Sequence, residues 1–103
     1  MISAVFERGT GGLTGFCVSG HSGTARAGKD IVCAWVTSAV MQCANNITEV
    51  FGIEADVTAH DNKVTVKLTE EDPIGMRLIA GLELHLRTIA EDHPQAVTVQ
   101  ITQ

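Results

Sequence analysis

Two hydrophobic periods alternate along this chain, and their order constrains the fold more than any other feature of the sequence. Apolar residues recur at every second position near the N-terminus, between residues 55 and 68, and near the C-terminus, whereas two longer intervening segments repeat them every third or fourth position. A period of two is typical of a half-buried strand, and a period near 3.6 is typical of an amphipathic helix. The sequence therefore predicts the element order ββαββαβ, an α+β fold.

The strands are predicted as two hairpins and a final single strand. The five strands lie at residues 2–6, 13–18, 55–59, 64–68 and 97–101. A glycine-bearing stretch joins the first pair, and Asp61-Asn62 form a tight turn within the second pair. We expect these strands to form one mixed sheet, with both helices packed on one of its faces.

The first helix is predicted at residues 31–51, with Asp30 as its N-cap and Gly52 as its left-handed stop. Its buried side is expected to carry Val36, Val40, Ala44, Ile47 and Phe51. Residues 31–36 are apolar on every side. The first turns must therefore be covered from more than one direction, by the sheet and loop or by a second subunit.

The second helix is predicted to begin at Pro73 and to end at His93-Pro94. An acidic stretch precedes it, Glu70 to Asp72, and negative charge suits the positive end of the helix dipole. Its apolar residues follow helical spacing: Leu78, Ile79, Leu82, Leu86, Ile89 and Ala90. Before the first helix, residues 19–29 contain three glycines and no hydrophobic period, which predicts an exposed, mobile loop.

The composition limits the chain to one domain and excludes several functions. Its 103 residues, 45% of them apolar and 18% charged, fit a single domain over residues 1–103. The net charge of −5 opposes the binding of free DNA or RNA. No run approaches the roughly 18 apolar residues of a membrane helix, and the N-terminus lacks the layout of a secretory signal. We therefore expect a cytoplasmic protein that contacts neither nucleic acid nor a membrane.

The three cysteines are not expected to form a disulfide framework, because Cys17, Cys33 and Cys43 are odd in number and show no C-x-x-C spacing. Cys17 and Cys43 lie in regular elements without a suitably placed histidine, and we interpret them as core residues. A zinc site made of Cys17, His21 and Cys33 lacks paired-ligand spacing, so we expect no metal.

Cys33 differs from the other two because it falls at the third residue of the first helix. There the unpaired backbone N–H groups and the positive end of the dipole favour a thiolate. His21, at the end of the second strand, can face the same helix end and accept the thiol proton. Asp30 is not simply an activator, because its charge would oppose a thiolate. Two roles stay open for it: it only caps the helix, or it orients His21 and stabilises the imidazolium.

Other interpretations compete for the same segment. Residues 23–29 satisfy the phosphate-loop pattern G-x-x-x-x-G-K, but Asp30 stands where a Ser or Thr would hold magnesium. Residues 20–23 begin like the serine motif G-x-S-x-G, but Thr24 replaces its last glycine, so we discount it. Cys33 could also be only a packed residue, since cysteine is often buried. The phosphate loop and the packed cysteine stay open as alternatives.

Two motifs border the loop before the first helix. They are Ser19-Gly20-His21-Ser22-Gly23 and Gly28-Lys29-Asp30-Ile31-Val32-Cys33-Ala34. Together with Ser38 they resemble the ribosomal-processing cysteine protease Prp family, and the resemblance extends over nearly the whole chain in length and element order. Ser22, Thr24, Trp35 and Thr37 depart from commoner residues of the family, which affects loop shape and pocket lining more than the dyad.

The resemblance implies a dimeric cytoplasmic endopeptidase that removes the N-terminal extension of a large-subunit ribosomal protein, the L-twenty-seven protein. It implies that Cys33 is the nucleophile and that His21 is the general base. Further positions carried over are Asp30 and Ser38 near the site, and Gly20, Gly23 and Gly28 in a loop that moves when substrate binds. We expect neither a metal nor a nucleotide cofactor. The main alternative is a non-catalytic, ribosome-associated interaction module that uses the apolar start of the first helix for docking.

Overall fold

The observed elements follow the predicted order. The computed structural model describes residues 1–20 and 31–103. Its elements are β1 (Ile2–Arg8), β2 (Leu13–Ser19), α1 (Ile31–Asn45), β3 (Ala55–His60), β4 (Lys63–Leu68), α2 (Pro73–Asp92) and β5 (Val97–Thr102). A π-helical turn, Asn46–Val50, continues α1 without a break. The order ββαββαβ is therefore confirmed.

All five strands join one mixed sheet in the order β3-β4-β2-β1-β5. β1 is antiparallel to β2 and parallel to β5. β4 is antiparallel to both of its neighbours, β2 and β3. Parallel strands need a crossover connection, and α2, which lies between β4 and β5 in the chain, is part of it. The mixed sheet that we expected is confirmed.

The sheet has one covered face, on which both helices pack. Phe6 lies opposite Phe16 in the neighbouring strand, with ring centroids 5.8 Å apart, and both side chains are buried. They share one hydrophobic core with residues of both helices, such as Val36 in α1 and Ile79 in α2. Cys17 follows Phe16 in the strand and therefore points to the other face, where it is only half-buried. The arrangement of both helices on one face is confirmed.

The buried side of α1 differs in part from the predicted stripe. The buried residues of α1 and its π-helical extension are Val32, Val36, Val40, Cys43 and Ile47. Ala44 is only half-buried, and Phe51 is 50% exposed. The prediction was wrong for Phe51 because its N–H bonds to the carbonyl of Asn46, five residues back, so a spacing of 3.6 residues per turn no longer applies. Gly52 follows with φ +62°, as its predicted role as a left-handed stop requires.

Two acidic residues before α2 have different roles. Asp72 caps the helix, since its Oδ1 accepts two N–H groups of the first turn, each at 2.9 Å. Glu71 instead reaches the β1–β2 turn, where its carboxylate accepts the N–H groups of Thr10 at 3.0 Å and Gly11 at 2.8 Å. The sequence pattern predicts a favourable charge before the helix, but it does not indicate that Glu71 joins this helix start to the first hairpin.

Candidate functional site

A cavity of about 340 Å³ opens between the end of β2, the start of β4 and α1. Its apolar lining is Ile2, Val18, Val36, Val40, Met41 and Val64. Its polar lining is Ser19, Thr37, Asp61, Asn62 and Lys63. Cys33 lines this cavity, together with Gly20, and neither of the other two cysteines does. A largely apolar cavity with a nucleophile and a few polar groups at its wall is typical of a ligand-binding or active site.

Cys33 is the third residue of α1 and is half-buried. On either side of it in the chain, Val32 and Val36 are buried in the core, which fixes the orientation of the first turns relative to the sheet. The first four N–H groups of a helix have no carbonyl partner within the helix, so they stabilise negative charge placed among them. The structure therefore places Cys33 in the helix turn that the sequence indicated, and its role as the nucleophile stays a prediction.

Gly20 lines the same cavity from the end of β2. Its φ is +92°, and a Cβ at this position would overlap with the carbonyl oxygen of Met1. Its N–H donates to the carbonyl of Asn62 at 3.0 Å. Both the backbone angle and the close approach to Met1 require glycine. Gly20 is therefore held at the end of β2 by its hydrogen bond to Asn62 and by its close approach to Met1. His21 is the next residue in the chain.

The β3–β4 turn is part of the cavity wall, which the sequence analysis did not identify. Asp61, Asn62 and Lys63 all line the cavity, although the sequence indicated only a tight turn at Asp61-Asn62. The turn lies there because Ser19 pairs with Lys63 at the end of the β2–β4 ladder. To predict that this turn lies in the cavity wall, the order of the strands in the sheet would have to be known, and the spacing of apolar residues does not define that order.

Several predicted site residues lie outside the described part of the chain. They are His21, Gly23, Gly28 and Asp30, and with them the phosphate-loop pattern and the loop that we expected to be mobile. The contact between His21 and Cys33 and both roles considered for Asp30 therefore stay predictions.

Ser38 lies on a different side of α1 from Cys33. It lines a groove of about 820 Å³ between α1 and α2, together with Trp35 and Leu78, and does not line the cavity of Cys33. Residues five apart on an α-helix point about 140° away from each other, so the two side chains diverge. Any effect of Ser38 on Cys33 would have to be indirect.

The other two cysteines have surroundings of their own. Cys43 is buried beside α2, where its Sγ donates to the carbonyl of Leu78 at 3.6 Å. Burial raises the pKa of the Cys43 thiol to about 11. Cys17, on the far face of the sheet, shares a small cavity with Thr65 and Lys67. The interpretation of Cys43 as a core residue is confirmed, whereas Cys17 is only half-buried and does not share the cavity of Cys33.

The described residues hold neither a metal cluster nor a spanning helix. In residues 1–20 and 31–103, no three His, Cys, Asp or Glu side chains are grouped as a metal site would need. The zinc set considered above also includes His21, which lies outside those residues. No helix in the same two segments has the length and apolar character needed to cross a bilayer.

Comparison with known proteins gives one family and several similar structures. The sequence model of the cysteine protease Prp family matches residues 1–98. No curated protein sequence matches the chain significantly. A structure of the essential ribosomal processing protease Prp from S. aureus, with a covalently linked product peptide, is 19% identical, covers 99% of this chain and 100% of its own, and superposes with a TM-score of 0.92.

Two further structures have the same fold. The S. aureus protease in complex with a substrate peptide is 18% identical, with a TM-score of 0.86 and coverage of 99% and 100% of the two chains. The protein SMU.848 from Streptococcus mutans is 28% identical, with a TM-score of 0.77 and coverage of 99% and 94%. The sheet order and helix placement described above are therefore those of these proteins over nearly the full length of the chain.

Proposed function

Because this chain belongs to the cysteine protease Prp family, we propose that it removes the N-terminal extension of a large-subunit ribosomal protein, the L-twenty-seven protein. Membership of the family makes the chain a cysteine protease. It also argues against the non-catalytic module and the phosphate loop considered from the sequence. The observation that carries the proposal is the position of Cys33 in the first turn of α1, at the wall of a largely apolar cavity that Gly20 at the end of β2 also lines.

The reaction begins with proton transfer and attack on the peptide. His21 takes the proton of the Cys33 thiol, and the thiolate adds to the carbonyl carbon of the scissile bond. The tetrahedral oxyanion collapses, the C–N bond breaks, and the imidazolium returns its proton to the leaving amine. Water activated by the same imidazole then hydrolyses the thioester, which releases the acid product and regenerates the thiol.

The start of α1 supplies the electrostatic part of this chemistry. The N–H groups of its first turn have no carbonyl acceptor within the helix, so they stabilise the thiolate before attack and can donate to the oxyanion after it. Val32 and Val36, buried beneath the first turns, hold those donors in place, so they need no reorganisation during the reaction. Neither metal nor nucleotide enters any step.

The supporting residues and the assembly belong to the same proposal. Asp30 caps α1 or orients His21, while Gly23 and Gly28, with Gly20, let the connecting loop close over an extended peptide. We also propose a homodimer in the cytoplasm, without direct contact to nucleic acid. The exposure of Ile31 (60%) and Trp35 (43%) at the start of α1 supports a dimer, because large apolar side chains are favoured in interfaces.

A precursor peptide that carries the N-terminal extension tests the proposal. Incubation with the wild-type protein, followed by mass spectrometry, is expected to give two products from one cleavage site. Cys33→Ser should abolish cleavage, whereas the matched control Cys17→Ser, on the far face of the sheet, should retain it. Cleavage by Cys33→Ser at the wild-type rate would refute the assignment of the nucleophile, and an intact precursor with the wild-type protein would refute the substrate.

A further inference from the structure

We propose that the β3–β4 turn positions the end of β2 in the peptidase site, and that the backbone conformation of Asp61 sets this turn. The inference rests on the proposed function and extends it to a part of the chain that lies in neither of the two motifs. Asp61 is a positioning residue in this proposal, since it acts through the backbone of its neighbours and not on the substrate.

The turn contacts both sides of the site. The carbonyl of Asn62 accepts the N–H of Gly20 at 3.0 Å, one residue beyond the last pair of the β2–β4 ladder, Ser19 with Lys63. Asn62 and Lys63 also line the cavity that contains Cys33. One turn therefore both holds the residue that precedes His21 and forms part of the wall of the cavity that Cys33 lines.

The conformation of Asp61 is what directs the Asn62 carbonyl towards Gly20. Asp61 has φ +53°, and it is the one non-glycine residue in the described segments with a positive φ. Asp and Asn tolerate this left-handed region, Gly adopts it without strain, and β-branched residues disfavour it strongly. A β-branched residue at position 61 should therefore change the turn and break the hydrogen bond to Gly20.

The side chain of Asp61 contributes little beyond this preference. Its carboxylate lies 3.3 Å from Nε2 of His60, and the two side chains are 83% and 89% exposed. A fully solvated pair of this kind has almost no effect on stability. Asp61→Asn removes the charge and keeps the tolerance for positive φ, so it separates the effect of the charge from the effect of the backbone.

Loss of the Gly20–Asn62 hydrogen bond should slow cleavage more than it loosens binding. Gly20 already depends on an unusual φ and on its contact with Met1, so it has few alternative positions. A shift of about 1 Å between reacting groups costs on the order of 10²-fold in rate. We therefore expect Asp61→Val to lower kcat/KM by roughly 10- to 100-fold, mainly through kcat.

The experiment compares cleavage of the precursor peptide by the wild-type protein and four variants at position 61. Asp61→Gly and Asp61→Asn, which keep the tolerance for positive φ, should lose far less kcat than Asp61→Val. Hydrogen exchange of the Gly20 amide, measured by NMR, should be slow in the first three proteins and fast in Asp61→Val. Asp61→Ala, which is less disruptive, should give an intermediate effect and serves if Asp61→Val does not fold.

Global destabilisation is controlled with Ile79→Val, in the core of α2 and outside the cavity, which should lower the unfolding midpoint and leave cleavage unchanged. Wild-type kcat and a protected Gly20 amide in Asp61→Val and Asp61→Ala would overturn the inference and leave the proposed function intact. An equal loss of cleavage in Ile79→Val would assign the effect to stability and also overturn it. If the wild-type protein leaves the precursor intact, the proposed function fails and the inference fails with it.

Discussion

The buried thiol of Cys43 should make folding stability fall at alkaline pH. Its pKa rises from 9.0 to about 11 because burial disfavours the thiolate. In the unfolded chain the thiol loses its proton first, so ionisation favours the unfolded state as the pH rises above about 9. The stability contribution of the neutral thiol is fully present below pH 9 and is lost progressively as the pH rises through about 11.

The size of the effect follows from the same two pKa values. A difference of one pKa unit between the folded and unfolded states corresponds to about 1.4 kcal/mol. The loss in free energy of unfolding is therefore about 1 kcal/mol at pH 10 and about 2 kcal/mol at pH 11. The residue is only 6% exposed, so solvent screens the thiolate weakly. Cys43→Ser is the reference protein, because its hydroxyl can still donate to the carbonyl of Leu78 and does not ionise in this range.

The assay is urea unfolding under reducing conditions at several pH values between 8 and 11, with wild-type and Cys43→Ser proteins side by side. All other titrating groups are common to both, so the difference between their free energies of unfolding isolates position 43. We expect that difference to move against the wild-type protein as the pH rises. A difference that stays constant from pH 8 to pH 11 would refute the burial argument.

Three further substitutions test other parts of the fold by urea unfolding. Gly20→Ala should lower the free energy of unfolding by about 1–3 kcal/mol, and by more than Gly52→Ala, since both have positive φ but only Gly20 has backbone in the space of a Cβ; equal losses would contradict the overlap. Glu71→Ala should lower the free energy of unfolding by about 0.5–1.5 kcal/mol, because two N–H groups of the β1–β2 turn exchange a carboxylate acceptor for water, and a loss no larger than that of the control Glu70→Ala would count against it. Arg87→Ala should lower the free energy of unfolding more than Arg77→Ala does, because it leaves the buried Glu83 carboxylate without its two hydrogen bonds of 3.0 and 3.2 Å; equal effects would contradict this assignment.

The element order could be predicted from the sequence because each element repeats its apolar residues at a single period. The end of the first helix shows the limit of that reasoning. Phe51 continues the expected spacing after Ile47, yet a change to hydrogen bonds over five residues leaves its side chain half-exposed. The spacing of apolar residues indicates which residues could share one face of a helix. It does not indicate where an α-helix changes locally to a π-helical turn.

The candidate site could be predicted only where one segment contains the whole signal. The position of Cys33 in the first turn of α1 follows from local sequence, and the structure places it there. The wall formed by Asp61 and Asn62 depends on β4 pairing with β2, a contact between residues more than 40 positions apart. The divergence of Ser38 from Cys33 depends on which side of α1 faces the sheet, and the sequence pattern of that segment, apolar on every side, leaves this open.

The place of β1 in the sheet also affects how the protein can be made. β1 lies between β2 and β5, and the N–H of Ile2 bonds to the carbonyl of Ala96 at 2.8 Å. The second edge of β1 is thus paired only by a strand that lies much later in the chain. A nascent chain in which residues 97–102 have not yet been translated presents an open β-edge beside the incomplete core, so proteolytic activity should require β5.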